Sequence, residues 1–355
     1  MSINWMRHFE LQLLDQNGQG ISLSNFKVNF NIEWFNLSTT TRVGSIKIYN
    51  LSAHTANLIV GNEFSRVRLI AGYDGIAPTV DASQVGVVKN INESDIGQTG
   101  GENYGAIFSG DIRYSMTGKD NPVDSYVLIQ AGDTDKAFIT SITSQTLAAG
   151  WTVADANKLL MKDFSISGAT EGRMPEMPPT VFPRGKVFHG LTRNLMDNVA
   201  AQCNATWMFV DGKREMVTDD EIVHEAIVLN SNTGLVGMPQ QTIGNGVNVR
   251  CLINPNIRVN GLIQLDQKSV YRTQLSSDAI AMSGGRITDQ TTDGNISLNG
   301  TTAQPASIAT DGVYIVRGIM YIGDTRGQAW YMDMMCEARG AADLRTQSSL
   351  ERGAG

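Results

Sequence analysis

Four histidines, three cysteines and a few acidic clusters are the residues of this chain whose types could do chemistry. His8, His54, His189 and His224 stand at neither the His-x-x-x-His nor the His-x-x-Cys spacing of a metal-ligand pair. His8 sits on the polar face of an alternating stretch, which predicts a solvated ring, and His189 lies near a predicted helix start. Cys203, Cys251 and Cys336 are odd in number and far apart, which argues against both a disulfide framework and a zinc site. They read instead as small core residues, Cys203 on a helical apolar stripe and Cys251 on the apolar face of a strand. No Gly-x-Ser-x-Gly nucleophile elbow is present. Gly18-x-Gly20 and Gly244-x-Gly246 stop short of the dinucleotide fingerprint. Asp289-x-Thr291-x-Asp293-Gly294 begins like a calcium loop, but Gly300 stands where the closing acidic ligand belongs. Asp219-Asp220-Glu221 could suggest glycoside hydrolysis, although three adjacent acids read more simply as a solvated loop. The expectation is a non-enzyme with no catalytic, cofactor-binding or metal site.

Composition sets the frame for these residues. The 355-residue chain is 41% hydrophobic and 18% charged and carries 36 glycines. That excludes general disorder, which needs low hydrophobicity and high charge, and it suits a protein that hides surface against neighbours. A net charge of −7 and the lack of a basic run argue against stable nucleic-acid binding, which rests on Lys and Arg releasing counterions. No stretch of 18 or more apolar residues predicts membrane insertion. The first residues lack the apolar run of a secretion signal, so folding in a cytoplasm is expected.

Strands must position most of what remains. Phe9, Leu11 and Leu13 alternate with polar neighbours, Asn17-Gly18 supplies a tight turn, and Phe26, Val28, Phe30, Ile32 and Trp34 continue at period two. Further strands are predicted at 42–49, 67–73, 106–114 and 125–131, with a short helix capped by Ser52. Residues 1–140 therefore read as one antiparallel barrel or sandwich. Residues 141–220 read as an α+β insert. Thr152 caps a helix with Asp155 in its first turn. After a proline-rich stretch, Leu191, Leu195, Val199 and Cys203 mark a second helix, which stops at Asn204. Thr206–Val210 and Arg214–Thr218 then flank the turn Asp211-Gly212. Residues 221–340 return to β structure: a hairpin is expected over 247–265, and a closing hairpin pairs 313–322 with 328–338. Two long polar segments, 74–105 and 267–311, read as surface loops that order against partners, and 341–355 as a flexible tail.

Several stretches carry a family resemblance. Gly234-Leu235-Val236-Gly237-Met238-Pro239, followed by Gly246-Val247-Asn248-Val249 and by Leu252-Ile253-Asn254-Pro255-Asn256-Ile257-Arg258-Val259, resembles the tail-hub subunits of contractile-tailed bacteriophages. There the final valine is followed by glycine; here Asn260 intervenes. Ile46–Ser52, Ile107–Ile112, Ala131-Gly132-Asp133 and Pro183–Gly190 are similar too. The resemblance implies a mainly β chain with two tail-tube-like antiparallel β-barrels and a small α+β insert. It implies a homotrimeric ring in the virion's tail baseplate, assembled in the host cytoplasm, joining the six-fold tail tube to the three-fold central spike around a channel. Its partners would be the tail tube protein, the central spike protein, and the tape measure and other baseplate proteins. The competing readings are a tail-associated cell-wall hydrolase and a carbohydrate-binding β module.

Overall fold

The computed structural model describes residues 6–36, 40–74, 88–92, 103–218, 224–231, 233–241, 246–265, 289–290, 296–297 and 312–338. Most of segments 74–105 and 267–311, and the whole of 341–355, lie outside the described residues. The chain forms two compact units. The first is Met1–Glu221 with Ile253–Asn256 and Met320–Met332; the second is Ile222–Leu252 with Ile257–Ile319 and Asp333–Gly355.

The first unit opens with β1 (Arg7–Leu14), β2 (Gln19–Ser24), β3 (Val28–Phe35), β4 (Val43–Tyr49), α1 (Ala53–Val60), β5 (Arg66–Tyr73), β6 (Val88–Asn92), β7 (Asn103–Lys119) and β8 (Ser125–Gly132). Their order in the sheet is β3-β4-β8-β7-β5-β1-β2-β6, and each neighbouring pair is antiparallel. The alternation in β3 becomes alternation of burial: Val28, Phe30, Ile32 and Trp34 are buried while Asn31 and Glu33 face out. β1 departs from the expected pattern. Gln12, on the polar register, is 1% exposed. Its side chain is drawn into a row with Glu10, which also accepts from Ser22, and with Arg68. Ser52 caps α1 as expected, its Oγ accepting the Thr55 amide at 3.1 Å.

Four strands separate β1 from β3 in the sheet order, yet Phe9 and Phe30 lie with ring centroids 6.1 Å apart, and both meet the edge or face of Trp330, at 6.5 and 5.4 Å. The sheet therefore curls on itself with these rings inside the curl, a consequence of right-handed strand twist accumulating over many strands. Trp330 Nε1 donates to the Gly72 carbonyl at 3.3 Å. Gly323 is required here: a Cβ at that position would stand 2.2 Å from the Phe30 ring.

The insert belongs to the same unit: α2 (Asp135–Thr140), β9 (Ile142–Leu147), α3 (Val153–Ile166), β10 (Thr170–Glu171), β11 (Lys186–Leu191), α4 (Thr192–Gln202), β12 (Ala205–Val210) and β13 (Lys213–Thr218). It has its own core, with Leu160, Phe164, Met196, Val199, Trp207 and Met216 at its centre. The capping box of α3 forms as expected, Thr152 and Asp155 exchanging side-chain and backbone bonds. Leu191 is not helical. It closes β11, which pairs with β9 through Leu191↔Ile142, and so α4 begins at Thr192 and buries Thr192, Met196, Val199 and Ala200. Asn204, at φ 48°, ends that helix region in the left-handed conformation.

The second unit holds β14 (His224–Leu229), β15 (Gln240–Gln241), β16 (Gly246–Leu252), β17 (Gly261–Leu265), β18 (Asp289–Gln290), β19 (Ile296–Ser297) and most of β20 (Val313–Asp324) and β21 (Trp330–Ala338). Two expectations fail. Residues 247–265 are not a hairpin: β16 pairs with β15, whereas β17 pairs with β14 and β20. Pro255 has no amide to extend a ladder, and Asn260, at φ 63°, turns the chain while its amide donates to the Val316 carbonyl at 2.8 Å. Nor is this block wholly antiparallel, because β14 and β17 run parallel. The closing hairpin is present: Asp324 N–H reaches the Ala329 carbonyl at 2.7 Å. Trp330, Met332, Met334 and Cys336 share its buried face.

Cys203, Cys251 and Cys336 are free and buried, and burial pushes each thiol's pKa up. In the native chain all three should therefore resist a thiol reagent such as Ellman's at pH 8, and all three should titrate once the chain is unfolded in guanidinium. A thiol that reacts at the rate of a free cysteine without denaturant would contradict this packing.

Candidate functional site: a buried charge clamp and an open groove

Among the described residues the chemistry-bearing side chains do not converge. His8 is half-buried rather than freely solvated: its ring stacks on Tyr104 at 3.7 Å, and its Nδ1 lies 2.5 Å from Asp74 Oδ1. His54 is exposed on α1, and His189 is exposed on β11, with Nδ1 3.2 Å from Ser144 Oγ. The side chain of His224, the triplet Asp219-Asp220-Glu221, Gly244-Asn245 and the side chains of 289–294 lie outside the described residues. Gly18, at φ 77°, serves the turn between β1 and β2. Among the described residues no group of three or more His, Cys, Asp or Glu could hold a metal ion.

What the structure does assemble is a charge cluster that no motif announces. Asp133 follows β8 and is 1% exposed. Its Oδ2 accepts from Arg42, at 2.8 Å, and from the Asp211 amide, at 2.7 Å. Its Oδ1 accepts from the Gly212 amide, at 3.1 Å, and from Thr134 Oγ1, at 2.9 Å. Four donors fill the lone-pair sites of one carboxylate. Arg42 is 3% exposed, also donates to Asp211 and to the Ile107 carbonyl, and lies over the rings of Trp34 and Phe108, at 4.8 and 5.6 Å. Burial pulls the Arg42 pKa down, but Asp211 and Asp133 outweigh it, so the net shift is upward and the guanidinium stays charged. Asp211 and Gly212 both have positive φ, at 51° and 83°, the geometry of a tight I′ hairpin turn. The cluster thus clamps the β12–β13 turn of the insert to the start of β4 and the end of β8.

A second cluster sits beside it. Arg113 forks onto Asp135, Nε to Oδ2 at 2.8 Å and NH2 to Oδ1 at 2.5 Å. Asp111 receives the Lys136 amide at 3.2 Å. Burial raises the Asp111 pKa, and nearby Asp133 and Asp135 add to the rise, against the amide bond and Arg66. Deeper in the insert, fully buried Arg214 donates to Asn157 Oδ1 at 2.6 Å and to the sulfurs of Met161 and Met174.

On the insert's surface an open groove of about 540 Å³ runs between β9 and α3. Leu147, Trp151 and Leu159 line it together with Lys158, Lys162 and Asp155.

The fold so assembled is one found in phage tail proteins. The chain superposes on the tail protein from Neisseria meningitidis MC58 with a TM-score of 0.52 and 8% identity, over 95% of this chain and 98% of that one. It matches the 43 kDa tail protein of prophage MuSo2 from Shewanella oneidensis with a TM-score of 0.53 and 7% identity, over 94% and 98%. No protein-family model matches the chain, and no curated protein matches it in sequence.

Two predictions follow from the charges. Asp133→Asn replaces the acceptor that neutralises buried Arg42 and should cost about 3–5 kcal/mol, the range for breaking a buried pair. It should be read as a lower urea midpoint at unchanged slope, and a loss under about 1 kcal/mol would deny the clamp its role. Asp111→Asn should do the opposite. A carboxyl whose folded pKa is raised favours folding below its unfolded pKa and loses that contribution as pH rises through the folded value. The variant should therefore melt higher than the parent at pH 7, with the gain vanishing below about pH 4.

Proposed function

We propose that this chain is a structural hub subunit of a phage tail baseplate, forming a trimeric ring that adapts a six-fold tail tube to a three-fold central spike around a channel. The observation that carries the reading is the match of nearly the whole chain to nearly the whole of two tail proteins. That likeness concerns fold, so the ring, the symmetry and the partners are our reading. The proposed organisation is 1–140 as a first tube-like barrel, 141–220 as the insert, 221–340 as a second tube-like barrel and 341–355 as a tail. The curled antiparallel sheet of the first unit supports the first barrel, and the second barrel is what the family resemblance implies. The proposed role is non-enzymatic, in the virion's tail, with the tube protein, the spike protein and further baseplate proteins, including the tape measure protein, as partners.

Heterologous, head-to-tail contacts close a ring when their rotation closes. Purified protein, alone or with its spike, should therefore have a mass of three times 38.5 kDa per ring by native mass spectrometry, and negative-stain images should show a ring with a central hole. A strict monomer under both conditions would overturn the hub reading. Release of soluble peptidoglycan fragments would favour the hydrolase reading instead.

A further inference from the structure

We propose that the groove between β9 and α3 receives an extended strand from a separate partner protein, a strand in which acidic residues alternate with apolar ones. Three features of the insert lead there, and none depends on the hub reading. The first is an open edge. β9 pairs with β11 in a two-stranded sheet of their own, and along its other side β9 has no strand partner among the described residues. Folded proteins guard such edges with lysine, proline, bulges or cover. The sequence of β9, Ile-Thr-Ser-Gln-Thr-Leu, holds no charge and no proline, and it is rich in residues that favour strands.

The second feature is the groove itself. Gln145 and Leu147 of β9, Ala148 and Trp151 of the turn after it, and residues of α3 line it, so it lies on the face of β9 that α3 covers. A strand added to β9 continues the sheet, and alternate side chains of that strand then point toward α3. There they meet an apolar floor of Leu147, Trp151 and Leu159.

The third feature is charge. Lys158 and Lys162 stand one helical turn apart on α3, both exposed, and both line the groove. Asp155, the one acid in the lining, is already bound by the hydroxyl and amide of Thr152, at 2.8 and 2.9 Å. With two lysines against one aspartate the lining carries a net positive charge on a chain whose net charge is −7, and an acidic strand complements it. A second copy fits poorly: pairing β9 with its own counterpart brings the lysines of both copies to the same seam.

The test uses the full chain and a fluorescein-labelled peptide alternating valine and glutamate, read by anisotropy at low salt. Saturable binding is expected, weakened about tenfold or more in the Lys158→Glu/Lys162→Glu variant and for a peptide with lysine in place of glutamate. Methylating alternate amides of the peptide, which removes its donors along one edge, should weaken binding as much. The circular-dichroism melt should be that of the parent, because both lysine side chains are exposed. Absence of saturable binding, equal affinity for the two peptides, or indifference to N-methylation would each overturn the proposal. So would a fall in particle mass on charge reversal, which would assign the edge to a second copy.

Discussion

The carboxylate of Asp133 is the interaction on which the rest of the first unit depends. A charge this deep is costly unless its hydrogen-bonding capacity is filled and a counter-charge stands beside it. Here both conditions hold: two backbone amides, a hydroxyl and the Arg42 guanidinium take its four acceptor positions. The arrangement joins three remote pieces of chain, the start of β4, the end of β8 and the β12–β13 turn. It also holds Thr134, a β-branched residue at φ 50°, in a conformation that costs about 1–3 kcal/mol wherever it occurs. Because two of the four donors are backbone amides of a turn with positive φ, the clamp fixes the orientation of the insert hairpin and not merely its proximity.

With the hairpin anchored, the surfaces of the insert acquire a definite direction. α3 and α4 pack over Trp207, Phe164 and Met216, and β9 is left at the margin with one edge paired and one open. The curled sheet follows a different logic. Its inner face is filled by Phe9, Phe30 and Trp330, and closure relies on aromatic edges meeting faces, which gives shape-specific packing beyond plain burial.

Much of the local structure was legible from residue types. The nine-residue alternation ending at Trp34 gave β3, because a strand with one buried face can be written only at period two. Thr152 and Asp155 announced a helix start through a capping box, and Asp211-Gly212 announced a hairpin, because both positions there need positive φ. The period-two pattern over 247–265 was equally clear and equally buried, yet it misled about pairing. Alternation says which face of a strand is covered and nothing about which strand lies beside it.

The sequence by itself therefore determined β3, the caps of α1 and α3, the Asp211-Gly212 turn and the burial of the three cysteines. These depend on interactions within a few residues or on hydrophobicity alone. Tertiary structure decided the rest: the parallel pairing of β14 with β17, the solvation of His8, and above all the clamp. Arg42 and Asp133 are separated by 91 residues, and Asp133 and Gly212 by 79. An isolated aspartate next to a glycine reads as an ordinary turn in any sequence. Only the folded chain removes water from that carboxylate and brings the donors that make its charge tolerable, because burial and long-range pairing arise together.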